Sequence, residues 1–351
     1  MVDWGSYQAV EALPREQLHK EIAKLYSKGR LQALEEVTED LHKVAIAIDD
    51  EFVGRREVAE VVLASLISGV PMVLLGPPGL AKSAVVRRIV ELCGGDFEKG
   101  DYFEYLLTNH TMPEHLFGPP DLASLKDGEF RIQTKMMLPQ ASVAFLDEVF
   151  RGGSHILNTL LAVVNERKFH NGQEVEDVPL IGVIGASNQP PADPELEAFV
   201  DRFPVRVWLD TVLGYDDDSD ADFLTKTARL QWTKKEKSFL SSTEIYEARV
   251  LSLNHLRASQ AYLSWLLQDE VAGHDAFRRA FLKVRNSCKL SDRSFGSLFR
   301  IGRALDLVQK KQDGLGPVRI LKFAALHSDE RGEVANCINA ELGTAGYAET
   351  Y

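Results

Sequence analysis

The chain has 351 residues, 45% of them hydrophobic and 26% charged, a composition that predicts a soluble globular protein with room for two domains. A net charge of −12 disfavours nucleic acid as a partner, and no apolar run approaches the roughly 20 residues that cross a bilayer. The three cysteines are far apart and support neither a disulfide framework nor a zinc site, so we predict a cytoplasmic protein with reduced thiols.

Residues 1–45 are predicted to form a helical extension with no visible chemistry. Apolar residues recur at helical spacing on both sides of Gly29, at Leu18, Ile22, Leu25, Leu31, Leu34, Val37 and Leu41. We expect these helices to pack on the main domain or on a neighbouring subunit.

Val53 and Gly54 follow this extension, just ahead of a predicted helix at 57–68. Their segment either lines an adenine pocket or is a plain loop before a helix. Only its closeness in sequence to the next motif favours the binding interpretation.

Residues 72–89 read MVLLGPPGLAKSAVVRRI and join a short apolar strand to a glycine-rich loop and a helix. The loop fits G-x-x-x-x-G-K-[ST], whose backbone amides wrap phosphates while its lysine contacts the β and γ oxygens and its hydroxyl binds Mg²⁺. A chance match is disfavoured because a buried-type strand precedes the loop and an amphipathic helix follows it. The pattern therefore predicts a phosphate-binding loop made of Gly76, Pro77, Pro78, Gly79, Leu80, Ala81, Lys82 and Ser83.

A second parallel strand is predicted at 102–108, and a candidate moving insertion follows at about 119–133. Turn signals lie at 118–120 and 126–128, and residues 129–133 are predicted to form a short strand.

Two adjacent carboxylates, Asp147 and Glu148, end an apolar strand predicted from residue 142. Beside a phosphate loop, the first can hold the Mg²⁺ shell and the second can polarise water for attack on the γ-phosphate. Taken alone, such a pair is more typical of a helix N-terminus, but the Lys82 loop upstream favours the catalytic interpretation.

A hairpin is predicted at about 168–178, after an amphipathic helix at 156–167, because Asn171-Gly172 is a strong tight-turn signal. A further buried strand at 180–186 leads to Asn188. Its amide could orient the attacking water or contact the γ-phosphate, although asparagine after a strand is commonly a turn residue.

Arg202 lies between a short predicted helix at 195–200 and a strand at 205–209. An arginine at a helix end is commonly a partner of the helix dipole, but in an oligomer it could reach the next subunit's phosphate. The acidic run at 213–222 is predicted to be a solvated linker rather than a metal site.

Beyond the linker, residues 223–351 are predicted to form a helical lid and C-terminal helices, with helices near 221–231, 242–253, 256–270, 275–289, 294–311 and 317–326. Ser291 and Asp292 are suited to capping the fifth of these helices. Arg293 could face back onto the nucleotide or form an ordinary surface salt bridge.

These motifs, in this order, resemble those of the AAA+ ATPases. The segments LLGPPGLAKS, FEYLLTNHTMPEHLFGP, FLDEVFRGGSHILNTLLAVVNERKFHNG and GASNQPP look like the MoxR family, closest to its RavA-type branch. The resemblance is strong over residues 45–210 and depends on residues 290–293 in the helical remainder. It implies an α/β fold with a P-loop αβα core and a parallel five-stranded sheet over 46–212, followed by an all-helical lid.

The resemblance assigns the nucleotide-binding and catalytic positions residue by residue. Lys82 and Ser83 match Walker A, and Asp147 and Glu148 match Walker B, with Ser83 and Asp147 as the implied Mg²⁺ ligands. Asn188 matches sensor 1. ATP and Mg²⁺ are therefore the implied substrate and cofactor.

Arg202 matches an arginine finger that acts in trans, and Arg293 looks like a sensor 2 residue acting in cis from the lid. The 119–133 segment is similar to the family's helix-2 insert, and the 168–178 ribbon to its pre-sensor hairpin. The family implies a ring, usually hexameric, in which these two segments carry motion to a client.

The leading functional hypothesis is an ATP-driven chaperone that remodels or assembles protein partners, the family suggesting partners with von Willebrand factor A (vWA) domains. A nucleic-acid-stimulated motor and a nucleotide-gated scaffold stay open, although the acidic charge disfavours the motor. Chelatase subunits belong to the same clade. The chain shows no match to the long C-terminal domain of RavA-type proteins, so partner recognition through that domain is not implied.

Overall fold

A computed structural model describes residues 31–191, 193, 196–210, 252–267, 274–311 and 313–344. Residues 1–30 of the predicted extension, the predicted linker at 213–222, the helix predicted at 221–231 and most of the helix predicted at 242–253 lie outside the described residues.

The described elements before the linker are α1 (Leu31–Glu51), α2 (Arg56–Ser68), β1 (Met72–Leu75), α3 (Lys82–Leu92), β2 (Tyr102–Leu106), α4 (Pro113–Phe117), α5 (Leu122–Lys126), β3 (Val143–Asp147), α6 (Ser154–Glu166), β4 (Lys168–Asn171), β5 (Glu174–Asp177), β6 (Gly182–Ser187), α7 (Glu197–Val200) and β7 (Val205–Trp208). Those after it are α8 (Leu253–Leu266), α9 (His274–Val284), α10 (Asp292–Gln309), α11 (Gly316–Arg319) and α12 (Glu330–Thr344).

Five parallel strands form the central sheet in the order β2-β3-β6-β1-β7, which confirms the predicted α/β fold. Strand β1 is buried throughout, as its unbroken apolar sequence requires. Its last residue, Leu75, pairs with Ser187 of β6 and with Trp208 of β7. Because the strands are parallel, the segments that follow β1, β3 and β6 meet at one edge of the sheet.

Helix α2 fills the space between the sheet and the C-terminal helices, and every residue from Val58 to Ser68 is buried. It ends at Gly69, whose left-handed φ of 70° suits glycine at a helix C-terminus. Helix α1 packs against α2 and contributes Leu41 and Ile48 to the same core. Helix α1 therefore continues across the boundary that was predicted at residue 45, and its residues on both sides of that boundary belong to the core.

The C-terminal helices pack on α2 and on the edge strand β7. Arg300 Nε of α10 donates to the Ser68 carbonyl at 2.6 Å, and Gln309 Nε2 donates to Glu60 at 2.7 Å. Apolar residues of α9, α10 and α12 belong to the same hydrophobic cluster as α2 and β1. The helical region is thus joined to the core through apolar packing as well as hydrogen bonds.

The insertion differs from its prediction. Residues 129–133 do not form a strand, and within them only Ile132 pairs, through an isolated bridge to Pro120. Between the two turn signals lies the short helix α5, which the sequence analysis missed. It forms because the Asp121 side chain accepts a 3.1 Å hydrogen bond from the Ala123 N–H and caps the helix.

The hairpin is confirmed, with its turn one residue beyond the Asn171-Gly172 signal. Asn171 stays in β4 and pairs with Glu174, so the loop residues are Gly172 and Gln173. The Asn171 side chain accepts from the Ile132 N–H at 2.7 Å and donates to the Ile132 carbonyl at 3.2 Å. These tertiary hydrogen bonds outweigh its local preference for a turn.

The last helices also depart from the sequence pattern. The helix predicted at 317–326 is the short α11 followed by a 3₁₀ turn at Ile320–Phe323, and α12 lies beyond the last helix to which the sequence analysis gave bounds, within the predicted C-terminal helices. The large buried apolar residues of α12 are only Val334, Ile338 and Leu342, which are too few to give a clear amphipathic pattern in the sequence.

Candidate functional site

The glycine-rich loop lies at the C-terminal edge of the sheet, between β1 and the first turn of α3. Gly76 has φ 143°, and a Cβ there would lie 2.6 Å from the Leu209 carbonyl oxygen, so only glycine fits without rearrangement. Gly79 has φ 87° with no heavy atom within 4 Å of an added Cβ, and Ala81 turns the chain into α3 at φ 58°. The loop backbone is therefore open to a ligand beside a helix N-terminus, as phosphate binding requires.

Lys82 begins α3, and its buried ammonium is held by three acceptors. Nζ donates to the carbonyls of Gly76 (2.7 Å) and Pro77 (3.1 Å) and to Asn188 Oδ1 (3.0 Å). Burial lowers the pKa of Lys82, while the charges of Asp147 and Glu148 oppose that shift.

Glu148 stands at the end of β3 in a left-handed conformation, φ 49°, which is uncommon for a non-glycine residue. Its backbone N–H donates to Asp147 Oδ1 at 2.9 Å. Its Oε1 accepts a hydrogen bond from Asn188 Nδ2, and its Oε2 lies 3.2 Å from Arg151 Nε. The turn thus aims the Glu148 carboxylate at Asn188.

Asn188 links the two charged groups, because one end of its amide binds Lys82 and the other binds Glu148. The structure therefore brings together the lysine, the second carboxylate and the amide, which three different sequence segments supply. These three predicted residues meet because the C-terminal ends of neighbouring parallel strands lie at the same edge of the sheet.

The residues present fit a nucleotide phosphate with Mg²⁺. Ser83 lies in the first turn of α3, and the Ser83 hydroxyl and Asp147 carboxylate are oxygen ligands of the type that Mg²⁺ takes. Within the described ranges there is no group of three or more His, Cys, Asp or Glu that could hold a metal by itself.

The Val53-Gly54 segment is tied to the same edge of the sheet. Gly54 is exposed with φ 66°, and the next residue, Arg55, is buried. Arg55 Nη2 donates to the carbonyl of Asp210 at 3.1 Å, two residues beyond the end of β7. Since β7 is a neighbour of β1, this contact keeps the segment on the side of the phosphate loop.

Arg202 lies at the other edge of the sheet, in the turn that precedes β7. Its Nε is buried and has no hydrogen-bond partner in the part of the chain that the structure describes. The strand register pairs Met72 with Val205, so Arg202 sits near the start of β1 rather than near the loop that follows it.

Arg293 is held on the same side as Arg202. The carboxylate of Asp201 accepts hydrogen bonds from the hydroxyls of Ser291 (2.8 Å) and Ser294 (2.9 Å) at the N-terminus of α10. Ser291 also caps α10 as predicted, accepting from the Ser294 N–H. Arg293 itself is exposed, and among the described residues its side chain makes no hydrogen bond or ion pair.

Two arginines of this region were missed by the sequence analysis. Arg151 contacts Glu148 directly. In the sequence, only its position three residues after Glu148 indicated that such a contact could form. Arg206 is 2% exposed and donates to the carbonyls of Phe203 (3.1 Å), Cys288 (3.3 Å) and Ala324 (2.7 Å). In the sequence, Arg206 alternates with valines in the strand VRVW, and this pattern alone did not predict that its side chain is buried.

The insertion and the hairpin form one connected unit. Arg131 Nη2 lies 3.0 Å from Glu174, and a Cβ on Gly172 would lie 1.9 Å from the Phe130 carbonyl oxygen. This unit carries large apolar side chains that are more than 40% exposed, namely Leu122, Leu125, Phe130 and Val175.

A family model for the MoxR domain of MoxR-vWA-beta-propeller ternary systems (bpMoxR) matches residues 39–255, more than half of the chain. The chain belongs to this MoxR family. The expectation of a MoxR protein is confirmed at this level, and the finer expectation of the RavA-type branch stays a prediction.

Two relatives are uncharacterized proteins of the archaeon Methanocaldococcus jannaschii. MJ0079 is 38% identical over 60% of this chain and 53% of its own length, and MJ0812 is 38% identical over 58% of this chain and 52% of its own. The structural protein ORF618 of Acidianus two-tailed virus is 29% identical over 63% of this chain and 35% of its own length. This MoxR chain thus spans about half the length of its archaeal relatives and about a third of the viral one.

A crystal structure from Cytophaga hutchinsonii, titled a "putative ATPase", has a similar fold, with a TM-score of 0.58, 17% identity and coverage of 92% of this chain and 94% of that one. At this identity the likeness supports the fold alone. Of the helices that the structure describes, none combines the length and the apolar character needed to cross a membrane.

Proposed function

We propose that this MoxR protein is a ring-forming, Mg²⁺-dependent ATPase that uses hydrolysis to remodel or assemble protein partners. The observation that carries the proposal is the hydrogen-bonded series Lys82, Asn188, Glu148 beside a glycine loop that a phosphate can approach. This arrangement contains a phosphate-binding cation, a water-orienting amide and a carboxylate base.

In the proposed reaction, water attacks the γ-phosphorus of ATP in line with the leaving ADP. Glu148 accepts the proton of that water, and Asn188 orients the water or the γ-phosphate. The Lys82 ammonium exchanges its hydrogen bonds to the loop carbonyls for hydrogen bonds to phosphate oxygens. In that position it stabilises the negative charge of the phosphate. Ser83 and Asp147 would hold Mg²⁺, which would supply charge neutralisation for phosphoryl transfer. Val53 and Gly54 line the pocket for the adenine base of ATP.

Arg202 and Arg293 are proposed to serve the nucleotide of the neighbouring subunit. Both are tied to the edge of the sheet opposite the chain's own loop, Arg293 through the contacts of Ser291 and Ser294 with Asp201. This placement favours action in trans for Arg293 instead of the cis role that the family resemblance implied. A ring, most simply a hexamer, would bring both arginines to the adjacent loop.

The proposed client is a protein with a vWA domain. The family to which the chain belongs is defined by its occurrence with vWA and β-propeller partners. The connected insertion and hairpin offer exposed apolar side chains for such a contact. A closer relationship to the RavA-type branch stays a prediction.

A nucleic-acid motor is a weaker candidate, because the chain carries a net charge of −12. Stimulation of hydrolysis by DNA or RNA, with steep salt dependence, would favour it. A scaffold that ATP assembles and hydrolysis resets, or a chelatase subunit, would share the same catalytic residues and differ only in the partner.

The test uses Glu148→Gln, which keeps the shape of the side chain and removes the base. We expect this variant to bind ATP, to lose hydrolysis and to retain the client when recovered with ATP and Mg²⁺. Lys82→Ala, which should not bind ATP, is the matched control for nucleotide-dependent capture. Parental turnover by Glu148→Gln would refute the assignment of the base, and equal recovery of the client by both variants would refute ATP-driven capture.

A further inference from the structure

We propose that Arg151 is a positioning residue for the Glu148 base, an inference that rests on the ATPase function proposed above. Arg151 closes the 3₁₀ turn Val149–Arg151 that directly follows Glu148. Its backbone N–H donates to the Glu148 carbonyl at 2.8 Å, and its Nε lies 3.2 Å from Glu148 Oε2. The same turn therefore carries both the base and its ion-pair partner.

Arg151 and Asn188 hold opposite oxygens of one carboxylate. Asn188 Nδ2 donates to Oε1, and Arg151 Nε contacts Oε2. The terminal torsion of a glutamate is broad, so one contact leaves the carboxylate free to rotate. Two donors on two different elements fix its plane, and Arg151 supplies the constraint that Asn188 alone cannot.

The two partners differ sharply in exposure. The Glu148 side chain is 10% exposed and that of Arg151 is 64% exposed. A carboxylate this deeply buried needs a compensating cation, and the Lys82 ammonium is directed to Asn188 and the loop carbonyls instead. Arg151 is thus the cation in direct contact with the base.

A purely structural surface salt bridge is the competing explanation for this pair. Such bridges contribute little to stability and would leave turnover unchanged. A positioning role predicts a loss in kcat, without a matching change in KM, that depends on the presence of Glu148.

The experiment compares ATP turnover of the full chain as Arg151→Gln, Arg151→Lys, Glu148→Gln and the double variant. Arg279→Gln is the matched control, because Arg279 Nε lies 3.1 Å from Glu341 in a similar pair between the C-terminal helices α9 and α12, and Arg279 is 55% exposed. We expect Arg151→Gln to lower kcat about tenfold with KM within about twofold, and Arg151→Lys to recover part of the loss. Arg279→Gln should match the parent.

The double variant should be no slower than Glu148→Gln in single-turnover assays, since Arg151 acts only through that side chain. Parental or faster turnover by Arg151→Gln would overturn the proposal, as would a further tenfold loss on top of Glu148→Gln. An inactive parental protein would refute the ATPase function and the role of Arg151 with it. An active parent with a neutral Arg151→Gln refutes the role of Arg151 alone.

Discussion

Lys82 Nζ donates a 3.0 Å hydrogen bond to Asn188 Oδ1, and this contact joins the glycine-rich loop to the proposed catalytic carboxylate, because the same amide donates to Glu148. A phosphate that draws the lysine away would release one end of the amide. We therefore expect nucleotide binding and the orientation of the base to be coupled through Asn188.

Replacement of Asn188 by alanine tests this coupling. The variant should lose about 100-fold or more in kcat because the base and the water lose their orienting amide, while ATP affinity changes by only a few-fold. Steady-state turnover combined with calorimetric ATP binding measures both quantities. A loss of affinity as large as the loss of kcat would show that Asn188 serves binding instead.

Arg202→Ala should reduce hydrolysis about 1,000-fold while nucleotide binding stays nearly intact, as expected for an arginine finger. Mixed rings of Arg202→Ala and Glu148→Gln subunits give a sharper test. Each variant alone is inactive, but in the mixture an intact base can meet an intact arginine from the next subunit. Recovery of hydrolysis on mixing is expected, and its absence would contradict action in trans.

The same mixing assay decides between the cis and trans roles of Arg293. If Arg293 serves its neighbour, as its position beside Asp201 suggests, Arg293→Ala and Glu148→Gln subunits should restore turnover when mixed. A cis sensor would leave every site defective and the mixture inactive. Arg278, an exposed arginine of α9, offers Arg278→Ala as a control that should keep parental turnover.

Arg206→Met should destabilise the protein without entering the chemistry of the loop. The change leaves the carbonyls of Cys288 and Ala324 without their buried donor, at a cost of about 2–4 kcal/mol in the free energy of unfolding. Urea unfolding measures the loss. Arg331→Met, which removes a surface pair with Asp210, should cost at most about 1 kcal/mol. Equal midpoints for the two variants would contradict the role given to Arg206.

The sequence by itself determined the sheet and the loop. Strands β1, β3 and β6 are short, mainly apolar and buried, and each is followed by a residue of the candidate site: Lys82 after β1, Glu148 after β3 and Asn188 after β6. Parallel strands bring such ends together, so local pattern and one topological rule were sufficient to predict the central set.

Only the tertiary structure decided the contacts between segments far apart in the chain. Asn171 stays in its strand because Ile132 binds its side chain, and Arg206 is buried because the carbonyls of Cys288 and Ala324 surround it. The start of α10, which carries Arg293, lies at the turn that precedes β7 because Asp201 accepts hydrogen bonds from Ser291 and Ser294. Local propensity carries no information about such partners, since a polar side chain takes its position from the donors and acceptors that the fold places around it.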